Sequence, residues 1–128
     1  MEHSAPSRTG DARRVQELTR ASRDWPSWTL TPRQLADLEL LLNGGYAPLD
    51  RFMTRLDRDA CAKERRLADG TPFPAPILLE VSPSCAAQAA AARRLVLRDQ
   101  EGVGLAVLDV ADSWRDTAHY LGGTVSGL

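Results

Sequence analysis

Apolar positions in this chain keep a helical rhythm through its first half and collect into short runs in its second. Between Asp11 and Ser22 only Val15 and Leu18 share a face among polar and charged neighbours. That pattern predicts a helix with a thin apolar stripe, one that needs a neighbour to hold it. Trp25-Pro26-Ser27-Trp28 ends it, because a proline disfavours helical backbone at the residue before it. Two tryptophans this close are expected to anchor the arm on the core through at least one ring.

The strongest local pattern follows. Thr31 is a suitable N-cap, Pro32 fits the first helical position, and Gln34 completes a capping box with Thr31. Leu35, Leu38, Leu41 and Leu42 recur at helical spacing as a buried stripe. Asn43-Gly44-Gly45 stops the helix, since glycine and asparagine tolerate the left-handed backbone of a C-cap. A turn through Tyr46-Ala47-Pro48-Leu49 leads to Arg51-Phe52-Met53. Asp57 is then expected to cap a second helix running to about Arg66, closed by a turn at Asp69-Gly70.

Prolines 72, 74 and 76 keep the next stretch extended, and Ile77 to Val81 reads as a buried strand. Ala86 to Arg94 has helix propensity but almost no large apolar side chain, which predicts only a short surface turn or helix. Leu95–Asp99 and Leu105–Val110 read as strands joined by a hairpin at Gln100-Glu101-Gly102, with a last strand over Thr124–Ser126 after Gly122-Gly123. Helices crowd the first half and strands the second. The fold class expected is therefore α+β, with a small, mostly antiparallel barrel or sheet.

Composition narrows the function classes. At 128 residues, 43% hydrophobic and 26% charged, the chain suits one globular domain. No apolar run approaches the roughly 20 residues that span a bilayer, and MEHSAPSRTGDARR has no apolar segment of a secretory signal. A cytoplasmic protein without membrane contact is expected, with Cys61 and Cys85 as reduced, buried thiols. The net charge of −1, with arginines interleaved among acids, disfavours a nucleic-acid partner.

Several phrases together match one family. Asp24-Trp25-Pro26-Ser27-Trp28-Thr29-Leu30-Thr31-Pro32-Arg33-Gln34-Leu35 runs into Asp37-Leu38-Glu39-Leu40-Leu41-Leu42-Asn43-Gly44-Gly45-Tyr46, followed by Pro48-Leu49 and Phe52-Met53. Arg66-Leu67-Ala68-Asp69-Gly70, Pro74-Ala75-Pro76-Ile77, the hairpin and strand from Asp99 to Leu108, and Gly122-Gly123 with Val125 and Gly127 continue in the same order. This resembles the N-terminal domain of ATP sulfurylases (sulfate adenylyltransferases), including fusions with adenylylsulfate kinase. The segment between Val110 and Gly122 is shorter than the family's usual loop, and Arg51 stands where the family commonly has glycine.

The resemblance implies a PUA-like small β-barrel with flanking helices over residues 24–128, preceded by a partly helical arm over residues 1–23. It also implies a catalytic domain following this one. ATP would bind that later domain, so no cofactor is expected in this chain. The family's paired-histidine motif is not supplied by His3 and His119, and no phosphate-binding loop of the G-x-x-x-x-G-K-[ST] type occurs.

Three readings follow: a non-catalytic scaffold domain of a sulfate-activating enzyme, an RNA-binding module like other PUA relatives, and a stand-alone enzyme. The first ranks highest, with the downstream catalytic domain as partner and self-association as a further option. No catalytic or metal-binding residue is singled out. Arg51 and Phe52 are the candidates for an interdomain contact, with core packing of Phe52 as the alternative. Arg33, Gln34, Asp37 and Glu39 are read as caps and solvent-facing positions, and His119-Tyr120 as a rim pair.

Overall fold

The computed structural model describes residues 12–128. The first eleven residues of the expected arm, His3 included, lie outside the described residues. The remainder of that arm is helix α1 (Ala12–Ala21) and a 3-10 turn over Ser22–Asp24. Helix α1 buries none of its residues, and Val15 and Leu18 are only half covered, as the thin stripe implies. Trp25 lies under the Arg94 guanidinium, 5.9 Å from its ring centre, and Trp28 packs on the core.

The segment after Pro26 forms strand β1 (Ser27–Thr29), which runs parallel to a later strand, β4 (Arg94–Arg98). Local pattern reads only a helix break here, because a three-residue strand is defined by its partner and not by its own periodicity. Helix α2 (Pro32–Leu42) follows as the sequence predicts, with the full capping box at Thr31 and Gln34. Leu38 and Leu41 are 1% exposed, Leu35 and Leu42 partly buried, and Gly44 takes the left-handed conformation at φ 84°.

Strand β2 (Arg51–Phe52) and helix α3 (Arg55–Glu64) come next. The cap of α3 is Thr54, with Asp57 three positions on completing a second capping box. The sequence reading of Asp57 as the cap itself is thus corrected. Threonine supplies the hydroxyl that must accept from the Asp57 N–H, and the carboxylate reaches back to the Thr54 N–H.

A long extended loop returns through Phe73, whose ring meets that of Tyr46 edge-on at 5.9 Å. It leads to β3 (Leu79–Val81), shorter than the expected Ile77–Val81 because Ile77 instead gives its carbonyl to the Met53 N–H. Helix α4 (Pro83–Ala92) corrects another expectation. It starts three residues earlier than read, capped by Ser82 with Pro83 in its first turn, and although one face is exposed as expected, the other packs into the core. Cys85, Ala86 and Ala89 are buried, Ala89 completely. Small side chains let the helix lie close against the sheet, so burial here needs no bulk.

The other strands are β5 (Gly104–Asp109), β6 (Asp112–Arg115) and β7 (His119–Gly127). Strands β4 and β5 form the expected hairpin. The last strand is nine residues long where three were expected, and β6 has no counterpart in the sequence reading. Its nine residues organise the sheet. On one edge, β5 pairs with residues 125–127 and β6 with 119–122; on the other, β2 pairs with 123–124 and β3 with 119–121.

Gly122 and Gly123 lie inside this strand and form no turn. A Cβ on Gly122 would sit 2.5 Å from the Met53 carbonyl oxygen, and one on Gly123 would collide with the Asp109 carbonyl. Close approach of two neighbouring backbones, one on each edge, excludes side chains here. The result is a curled seven-stranded mixed sheet, parallel only between β1 and β4, with helices around it. It is an α+β half-barrel with its core of leucines, valines, Phe52 and Met53 inside the curl.

Candidate functional site

An open cleft of about 830 Å³ lies between the start of α2, the β3–α4 junction and the β6–β7 hairpin. Trp28, Leu78 and Tyr120 contribute apolar wall, while Arg33 and Arg115 contribute guanidiniums and His119 an imidazole. Glu80 also lines it. The first turns of α2 and α4 border the cleft, but both capping hydroxyls are engaged. Thr31 Oγ1 accepts from the Gln34 N–H at 3.2 Å, and Ser82 Oγ accepts from the Cys85 N–H at 3.1 Å.

Gln34 forms the inner edge of the cleft. Its Oε1 accepts from the Trp28 indole N–H and from the Thr31 N–H, both at 3.0 Å. Its Nε2 donates to the Glu80 carbonyl at 2.8 Å. One amide, 7% exposed, thereby ties β1, the cap of α2 and strand β3 together. The sequence reading gave Gln34 a capping role; its long-range bonds come from tertiary placement, which no local signal carries.

Arg115 and His119 are direct cross-strand partners on the β6–β7 hairpin. Residues so paired stand on one face with their Cβ atoms about 4.5–5.5 Å apart. Next to them Trp114 stacks on Tyr120, ring centres 5.4 Å apart and planes 21° apart, and the buried Trp114 indole N–H has no hydrogen-bond partner. The expected rim position of His119 and Tyr120 agrees with their half-burial. Arg115 was not singled out from the sequence; the hairpin turn at Asp116-Thr117-Ala118 was the signal that could have paired it with His119.

A second polar centre lies at the start of α3. Asp57, whose side chain is 2% exposed, accepts from Arg51 Nε at 2.9 Å and Arg51 Nη2 at 3.1 Å. It also accepts from the Ala68 N–H at 2.9 Å and the Thr54 hydroxyl at 3.2 Å. Burial alone would raise the Asp57 carboxyl; the Arg51 guanidinium and the Ala68 and Thr54 N–H groups outweigh it and hold the carboxyl below the usual carboxylate range. Asp112 accepts from the Arg55 N–H at 2.8 Å, fixing the same helix end to β6.

These contacts locate the two candidates for an interdomain contact. Phe52 is fully buried in the core, the alternative the sequence had offered, so its ring does not reach the surface. Arg51 keeps 25% of its side chain exposed, and its guanidinium is bound to Asp57. The structure brings neither into the cleft. Asp37 is likewise internal: it is 4% exposed, accepts from the Tyr46 hydroxyl at 2.8 Å and faces Arg33 at 3.4 Å. Burial first, and the bond to Asp37 second, push the Tyr46 hydroxyl above the ordinary phenol value, so it remains a donor.

Cys61 and Cys85 are free and buried as expected, and burial pushes the Cys85 thiol up to about 11. Among the described residues no three His, Cys, Asp or Glu side chains group as metal ligands, and no helix is long and apolar enough to cross a membrane.

The comparisons with known proteins agree with the fold. The sequence model of the PUA-like domain matches residues 5–122. A sulfate adenylyltransferase of Emericella nidulans is 43% identical over 108 residues, which are 82% of this chain and 19% of that protein. The sulfate adenylyltransferase of Kluyveromyces lactis is 38% identical over 107 residues, covering 82% of this chain and 21% of its own length. A solved structure, the hexameric APS kinase from Thiobacillus denitrificans, superposes with a TM-score of 0.86 at 34% identity, over 97% of this chain and 25% of that one. The chain spans about a fifth of the length of these curated relatives.

Proposed function

The chain belongs to the PUA-like domain family, and from that premise we propose that it is a non-catalytic scaffold domain of a sulfate-activating enzyme, packing against a catalytic domain. The observation that carries this reading is the match to sulfate adenylyltransferases at 38–43% identity, confined to about a fifth of their length. In proteins of that kind the remaining four-fifths adjoins this domain and holds most of the polypeptide available for chemistry.

The internal chemistry supports the same reading. Gln34, Asp37 and Asp57 are buried polar side chains that first suggest a site, and each is held by bonds within the fold. A catalytic base has to keep an acceptor for the reacting proton. Asp57 instead has its two oxygens engaged by a guanidinium, two backbone N–H groups and a hydroxyl. On this reading ATP binds the catalytic domain and the protein works in the cytosol; self-association is a further part of the proposal, measured by sedimentation.

The test is a sulfate-dependent pyrophosphate-release assay. The 128-residue chain alone should give no rate above buffer. A chimera in which it replaces the matched fifth of the Emericella nidulans enzyme should be soluble and active. Sulfate-dependent pyrophosphate release by the isolated chain sinks the proposal.

A further inference from the structure

We propose that the cleft between α2, α4 and the β6–β7 hairpin binds a small molecule through a phosphate or sulfate group, gripped by Arg115 and Arg33 with His119 as a third donor. The volume of about 830 Å³ falls within the range of small-molecule sites, roughly 300–1,000 Å³. The sign of its charge runs against the rest of the molecule. Two guanidiniums and one imidazole face one carboxylate, Glu80, in a chain whose net charge is −1.

Arg115 is the informative residue. The other arginines within strands are engaged by the fold, as is Arg58 on α3. Arg51 binds Asp57, Arg58 binds Asp59 and Asp116, Arg94 binds Asp109, and Arg98 donates to the Gly102 carbonyl. Arg115 has no side-chain hydrogen bond or ion pair among the described residues, although Asp116 is its neighbour in sequence and pairs instead with Arg58. It stands directly across from His119. The Arg115 guanidinium and the His119 imidazole thus stand side by side on the hairpin, where both can donate to one oxyanion placed between them. Arg33, on α2, lines the same cleft; it is paired with Asp37 at 3.4 Å, but its side chain is 75% exposed and reaches a ligand with its remaining N–H donors.

Guanidinium forks recognise tetrahedral oxyanions through paired N–H donors. The uncharged part of the ligand would lie on Trp28, Leu78 and Tyr120, which form the apolar wall. Both rings are held in place, Trp28 by its bond to Gln34 and Tyr120 by stacking on Trp114, so binding orders little that is not already ordered. This site is independent of the scaffold reading and takes no part in sulfate activation by this chain.

The experiment is calorimetric titration of the 128-residue protein with inorganic phosphate, inorganic sulfate and a nucleoside monophosphate, against chloride at matched ionic strength. Saturable one-to-one binding of at least one of the three is expected, with chloride giving none. Equal affinity for free and esterified anions identifies the oxyanion itself as the ligand; a tighter nucleotide identifies an ester lying on the aromatic wall. Arg115→Gln should weaken binding about 10-fold or more, the loss of a charge-assisted hydrogen bond, and Arg33→Gln less. Arg55→Gln, a charge change outside the cleft, should leave it unchanged. Heats no different from the chloride control overturn the proposal, as does equal binding by the Arg115→Gln and parent proteins.

Discussion

Replacing Asp57 by asparagine keeps the size of the side chain and removes its charge. The parent carboxylate is 2% exposed and binds Arg51 through two N–H groups, while also closing the cap of α3 and holding the Ala68 N–H of the following loop. Breaking a buried pair by removing one partner costs about 3–5 kcal/mol. Arg51 keeps a quarter of its side chain in water, so part of its charge is rehydrated and the lower end applies. A loss of about 3 kcal/mol corresponds to a fall in Tm of about 12 °C for a domain of this size. The assay is thermal unfolding followed by circular dichroism, with Asp57→Asn beside the parent protein.

The same comparison has a pH signature. The Asp57 carboxyl is held below its ordinary value in the fold, so its stabilisation is fully present above the ordinary carboxylate range and disappears as pH falls through the lowered value. The Tm gap between parent and Asp57→Asn should therefore be constant from neutral pH down to about pH 5 and shrink below about pH 3. A gap under about 3 °C at pH 7, which is less than 1 kcal/mol, refutes the reasoning. So does a gap that persists undiminished in acid.

Gln34→Leu should cost about 2–4 kcal/mol in urea unfolding, because the Trp28 and Thr31 N–H groups and the Glu80 carbonyl lose their partner together; a loss below about 1 kcal/mol contradicts the role of the amide as a three-way tie. Cys85, buried and with its thiol pushed up to about 11, should react with a disulfide reagent at pH 8 only as fast as the protein opens. Labelling at the rate of a free thiol would show that α4 does not cover it. Gly123→Ala should lower Tm more than the conservative Val125→Ala, since a Cβ at 123 meets the Asp109 carbonyl and not a pliable side chain.

Helix α2 was legible because everything that defines it is local: Thr31, Pro32, Gln34, the leucine spacing and Gly44 lie within one stretch of chain. The β4–β5 hairpin was legible for the same reason. Strand β1 was not, because its partner lies far away in sequence; β7 was cut short because its inner glycines look like a turn, although its first residues pair with the nearby β6. Helix α4 was underestimated because alanines bury little area each and mark a close approach only once the sheet is in place. The cleft combines positions 33, 115 and 119 from separate elements, a proximity that local pattern does not express. The resemblance carried over phrases spread along the chain supplied the fold where local pattern stopped.

Strand β7 also sets the timing of assembly. The nine residues with which β2, β3, β5 and β6 pair are numbers 119 to 127, so four strands made earlier have no shared partner until these leave the ribosome. Before that moment the nascent chain can form its capped helices and the β4–β5 hairpin but cannot close the curl. Sequence-distant pairing of this kind slows folding and leaves apolar edges open to other chains. A ribosome-stalled chain ending before His119 should therefore bind chaperones and be cut readily by protease, and one extended past Gly127 into the exit tunnel's length of linker should resist both.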